Sequence, residues 1–101
     1  MVELLHSLEE REKAAELAQA LSDPNRVALL KELLQGPANV GLLSRCIESE
    51  QSATSHQLSV LRHTHLVQVE RKGKTREYSI PENIRRVLTN LFDTANEHLE
   101  E

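Results

Sequence analysis

Apolar residues recur three and four positions apart along most of this chain. In residues 2–21, Leu4, Leu5, Leu8, Ala15, Leu17, Ala18 and Leu21 are spaced helically among charged side chains. Ser22-Asp23-Pro24 then interrupts the pattern. Asp suits an N-cap and Pro the first helical position, where its missing N–H costs nothing. A second helix is predicted from there to about Gln35, with Val27, Leu30, Leu33 and Leu34 inward and Gly36-Pro37 as its stop. Val40, Leu43 and Ile47 predict a third helix over Val40–Glu48, and a turn over Glu48–Gln51 leads to a fourth over Ser52–Thr64. The period then changes. Val67–Lys72 and Thr75–Ile80, β-branched or alternating in polarity, predict two strands. From Pro81-Glu82 to about Leu99 the helical spacing returns, carried by Ile84, Val87, Leu88, Leu91, Ala95 and Leu99.

The fourth helix divides into two faces. Thr54, Leu58 and Leu61 share one stripe, with Val60 beside it. Ser52, Ser55, His56, Ser59 and Arg62 fall opposite. Small hydroxyls let a helix approach a DNA major groove closely and bond to phosphates or bases. His56 and Gln57 can reach base edges, Arg62 suits a phosphate, and Gln51 joins the DNA-binding candidates. The turn between the two strands carries Arg71, Lys72, Lys74 and Arg76 around Gly73, a residue able to take the positive φ of a tight turn. A short helix, a turn, a polar-faced helix and a basic hairpin make up the layout of a winged helix-turn-helix. The alternatives are a merely solvated helix face and a solubilising hairpin tip.

Composition sharpens this picture. The chain has 101 residues, so one domain spanning 1–101 is expected, and 2% aromatic content leaves a core of Leu, Val, Ile and Ala. The net charge of −4 does not suggest a nucleic-acid partner. The signs are segregated, however. Glu3, Glu9, Glu10, Glu12 and Glu16 load the start and Glu97, Glu100 and Glu101 the end, leaving the cations between. Local sign governs phosphate contact. No membrane-length apolar run or signal-peptide pattern occurs, and a single cysteine, Cys46, allows no internal disulfide. A cytoplasmic protein with no membrane partner is the expectation. The first and last helices have more apolar surface than a small core needs, so a homodimer through Leu4, Leu8, Ile84, Leu88, Leu91 and Ala95 is expected; the other reading is that they cover the protomer's own core.

These residues resemble the ArsR/SmtB (arsenical-resistance-repressor-like) family of bacterial regulators. Ala20-Leu21-Ser22-Asp23-Pro24-Asn25-Arg26-Val27 is similar to that family's opening of its second helix, and Gln51 through Arg62 to its reading helix. Leu66-Val67 and Gly73 to Ile80 are similar to its wing. The resemblance implies a mostly α fold with a small β-hairpin: four helices, two strands and a last helix, dimerising through the terminal helices. It also implies a repressor that leaves its operator when a metal or other inducer binds. One metal site of the family needs a thiolate pair where this chain has Asn39 and Gly41. The other, across the two last helices, retains at most Glu82 and His98 as weak candidates, short of the four ligands tetrahedral zinc prefers. No cofactor is therefore certain, and a divalent metal inducer stays open. Cys46 is expected to be buried and inert, with a redox or metal role as the alternative. In His63-Thr64-His65, His63 is expected to face phosphate and His65 to pack or cap.

The leading function is thus a sequence-specific regulator, most simply a repressor, whose partners are double-stranded DNA with a roughly palindromic operator and a second copy of itself. A protein-interaction module on the same fold is the competing reading. An enzyme is disfavoured: the chain has no Ser-His-acid order, no paired carboxylates and only three glycines.

Overall fold

The computed structural model describes residues 7–100. The elements are α1 (Leu8–Ala20), α2 (Pro24–Gln35), β1 (Ala38–Asn39), α3 (Val40–Cys46), α4 (Gln51–His63), β2 (Gln68–Lys72), β3 (Thr75–Ser79) and α5 (Glu82–Leu99). Local chemistry explains their ends. Ser7 caps α1 by accepting from the Glu10 N–H at 3.1 Å. Asp23 caps α2, accepting from Asn25 and Arg26 N–H groups at 2.7 and 3.3 Å, and Pro24 follows in the first turn. Asn39 caps α3 through Leu42 N–H at 2.9 Å.

α3 and α4 both stop in the same way. The Ser49 N–H bonds to the Ser44 carbonyl and Glu48 to Arg45; Leu66 bonds to Leu61 and His65 to Arg62. These are Schellman closures, which require a left-handed residue just past the helix. Glu48 (φ 51°) and His65 (φ 62°) occupy those positions instead of the usual glycine. His65 therefore caps, as one of its two expected roles, and it is exposed rather than packed.

The core is aliphatic. Leu29, Leu30 and Leu33 of α2, Leu43 of α3, and Leu58 and Leu61 of α4 are fully buried. Leu66, Val67, Tyr78 and Ile80 close the core at the base of the hairpin, and Leu88 and Phe92 seal it from α5. The sheet has three strands in the order β1-β3-β2, all antiparallel. The two-residue β1, pairing Ala38 with Tyr78 and Asn39 with Glu77, has no counterpart in the sequence reading. A strand that short shows no period, and its pairing is made by a residue forty positions away.

β2 and β3 form a hairpin in which Lys72 faces Thr75, leaving Gly73-Lys74 as a two-residue loop. Gly73 has φ 63°. Open space surrounds the position of its missing Cβ, so backbone conformation rather than crowding selects glycine here.

Candidate nucleic-acid interface

α4 presents the two faces expected of it. Thr54, Leu58 and Leu61 are buried, and Val60 is half-buried. The Thr54 hydroxyl, inside the core, donates to the Glu50 carbonyl at 3.0 Å. Gln51, Ser52, Ser55, His56, Ser59, Arg62 and His63 are exposed. No side chain caps the N-terminus of α4. Its first N–H groups are therefore open to an outside acceptor such as a phosphate oxygen.

The hairpin sorts its charges by face. Arg71 stands directly opposite Arg76, and Glu70 opposite Glu77. Successive strand residues alternate faces, so the two arginines share one side of the hairpin, and the two glutamates share the other with Lys72. Like charges in register disfavour a hairpin on its own. The arrangement is useful when an anion lies on the arginine side. Lys72 bends to Glu70 at 3.5 Å, and Lys74 projects from the exposed turn.

Two open clefts lie between α4 and the hairpin. One, of about 490 Å³, lies between the starts of α3 and α4 and the cationic side of the hairpin; Asn39, Gln51, Ser55, Arg71, Lys74 and Arg76 line it. The other, of about 690 Å³, lies between the end of α4 and β2, where Ser59, Arg62, His63, His65 and Gln68 meet. No carboxylate lines either cleft. Where α4 faces the hairpin, the acidic chain thus presents Arg62, Arg71, Lys74 and Arg76 and no carboxylate.

Gln57 has a different environment from its neighbours. It is half-buried, and both ends of its amide are engaged. Its Oε1 accepts from Arg26 Nη1 at 2.8 Å, and its Nε2 donates to Asp23 Oδ2 at 3.4 Å. The expectation that Gln57 reads base edges is corrected by this geometry: the amide is turned inward to α2. Arg26 was given no function from sequence. Its Nε donates to the Ala20 carbonyl at 2.7 Å and its Nη2 to the Gln19 carbonyl at 3.0 Å. The signal was present in Asp23-Pro24-x-Arg26, but the other partners lie on two further helices, α1 and α4. The backbone N–H of Asn25, foremost, holds the Asp23 carboxyl below its ordinary value of 3.8, with help from Arg26 and Gln57.

The arsR family of bacterial regulatory proteins matches residues 23–69, from the cap of α2 into β2. NolR of Sinorhizobium fredii is 31% identical, covering 90% of this chain and 88% of its own, with a TM-score of 0.79. The transcriptional repressor BigR of Xylella fastidiosa is also 31% identical, covering 87% and 95%, with a TM-score of 0.69. The homodimeric winged helix-turn-helix DNA-binding domain Mb0332 of Mycobacterium bovis, described as a possible ArsR-family regulator, is 26% identical over 95% and 93% and superposes with a TM-score of 0.84. None of the curated proteins matches the chain. The chain belongs to the arsR family. It is a winged helix-turn-helix, DNA-binding transcriptional regulator, and its family and fold are those of regulators rather than enzymes.

Further residues expected to matter in this arsR-family protein divide unevenly. Leu8, Leu91 and Ala95 are exposed, as are Val87 and Leu17, whereas Ile84 is half-buried. Leu88 is only 2% exposed and belongs to the protomer's own core beside Phe92, so it is removed from the expected dimer contacts. The apolar stripe of α5 is wide enough to serve two surfaces, and its Leu88–Phe92 edge faces inward. Leu4 lies outside the described residues. Cys46 is exposed, not buried, because α3 ends there. Desolvation of the thiol and the neighbouring Glu32 push its pKa up, which favours the unreactive thiol. Asn39 is occupied in capping α3. Glu82 pairs with Arg85 at 3.9 Å, and His98 stands roughly 24 Å away along α5. Among the described residues no group of three or more His, Cys, Asp or Glu is placed to hold a metal. Among them, too, no helix is long and apolar enough to cross a membrane.

Proposed function

We propose that the protein is a homodimeric repressor which inserts α4 of each protomer into successive major grooves of a roughly palindromic operator. The observation that carries this reading is the exposed hydroxyl-rich face of α4 beside two carboxylate-free clefts, one lined by Arg71, Lys74 and Arg76 and the other by Arg62. Ser55 and His56 are the base readers on this reading, with Gln51, Ser52 and Ser59 around them. Arg62, Arg71, Lys72, Lys74 and Arg76 hold phosphates.

The dimer is supported by surface left without cover. Only Ala20 of α1 is buried, and 13 residues are marginal for a helix standing alone in water. Val87 and Leu91 expose 61% and 44% of their surface on α5. The Cα radius of gyration is 15.2 Å, against about 13 Å for a compact chain of this length, as suits half of an assembly. The M. bovis domain of similar structure is homodimeric. A two-fold dimer places its half-sites about 34–36 Å apart, one turn of DNA.

Repression is supported by the similarity to the transcriptional repressor BigR; release by an inducer is a further part of the proposal. Glu82 and His98, roughly 24 Å apart along α5, would meet only across the two-fold. The test is selection of binding sequences from random duplex DNA, followed by anisotropy titration with and without divalent metals. Paired, inverted half-sites are the expected product. Sequence-independent binding alone would overturn the reading. Release by a metal that fails in Glu82→Ala and His98→Ala would assign the inducer, and release unchanged in both would exclude that pair.

A further inference from the structure

α1 carries exposed surface assigned to the dimer, whereas α4 carries the reading face. Between them the packing is open: a cleft of about 470 Å³ lies there, lined by Glu16, Gln19, Arg26, Ser59, Val60 and His63. Apolar contact does little to set the distance between these two helices. A single guanidinium does more. From α2, Arg26 reaches the last two carbonyls of α1 and the Gln57 side chain of α4, with bonds of 2.7, 3.0 and 2.8 Å. Its own backbone N–H is held by Asp23, whose other oxygen accepts from Gln57. The planar fork of arginine permits few geometries when three acceptors are fixed.

We infer that Arg26 and Gln57 are positioning residues for operator recognition, a strut that fixes α4 relative to α1 and thereby sets which half-site spacing the dimer accepts. The inference rests on the dimeric reading above. Adding one base pair moves a half-site by about 3.4 Å along the axis and also rotates it. Only a reading helix held firmly against its dimerisation helix rejects that displacement. Without the strut, α4 tilts to follow neighbouring spacings, and the cost of ordering it is met on binding. Neither residue touches a base in this scheme.

Half-sites selected by the wild type are rebuilt with the separation changed by one base pair either way, and separately with single-base changes inside each half-site. Affinities are measured by anisotropy with wild type, Gln57→Ala and Gln57→Met; the last keeps side-chain length and helix propensity without the acceptor. Thermal melting establishes that each variant is folded at the assay temperature. The wild type is expected to prefer its own spacing by about tenfold or more, the size of one mismatched pair. Both variants are expected to fall below about threefold on spacing while keeping wild-type penalties for base changes. A general loss of stability would move both penalties together. Retained spacing preference in the variants overturns the strut, and so does altered base preference, which would make Gln57 a reader. If the wild type selects no paired half-sites, the dimeric reading fails first and the strut with it.

Discussion

Replacing Arg26 with alanine should cost this fold more than any exposed cation would. The side chain is 14% exposed and makes three bonds to α1 and α4, with Asp23 3.8 Å from Nη1. Breaking a bond to a charged group costs about 1.5–3 kcal/mol, but three bonds from one group do not add. Two of the acceptors are helix-end carbonyls that water can reach once Arg26 is gone. These considerations place the loss at about 3 kcal/mol, a large share of the roughly 5–15 kcal/mol typical of a domain. For a chain of this size that lowers Tm by roughly 15 °C. Gln57→Ala removes one short bond and one long one and should cost about 1 kcal/mol, with the double variant close to Arg26→Ala alone. Arg26→Lys should recover little, because an ammonium on a flexible stem cannot span acceptors on two helices. Urea unfolding followed by far-UV circular dichroism at one fixed protomer concentration measures all four. A loss below about 1 kcal/mol in Arg26→Ala, or full recovery with lysine, would refute the reasoning.

Arg76→Thr should stabilise the free protein by about 0.5 kcal/mol by removing the opposed Arg71 charge. The same change should weaken binding to every DNA sequence and reduce the slope of log K against log salt by about 2 per dimer, read by anisotropy across salt concentrations. Glu48→Gly should raise stability by about 0.5–1 kcal/mol in urea unfolding, since φ 51° strains a residue with a Cβ. The depressed Asp23 pKa contributes stability that is fully present above the unfolded value and is lost as pH falls through the folded one. Asp23→Asn should therefore show a flatter fall in stability than the wild type below about pH 4, monitored by melting at stepped pH.

Every long element of this fold was legible in the sequence to within a few residues. Its apolar period, the caps Asp23 and Pro24, and the Gly73 turn are local signals, each sufficient for its own element. The exposed face of α4 was legible for the same reason: a helix with Thr54, Leu58 and Leu61 buried has no choice about where Ser52, Ser55, His56 and Ser59 point. Periodicity says which residues share a face, but not what that face meets. Leu88 and Leu91 sit three apart on one apolar stripe, yet one is buried in the core and the other exposed, because α5 is only partly covered by its own protomer. Gln57 lies among the exposed polar residues of α4 and turns inward because Arg26 waits 31 positions earlier in the chain. β1 forms because Tyr78 and Glu77 supply its partners, and the arginines of the hairpin gather on one face because register sets Arg71 against Arg76. These contacts join residues far apart in sequence, and their geometry exists only once the helices have packed.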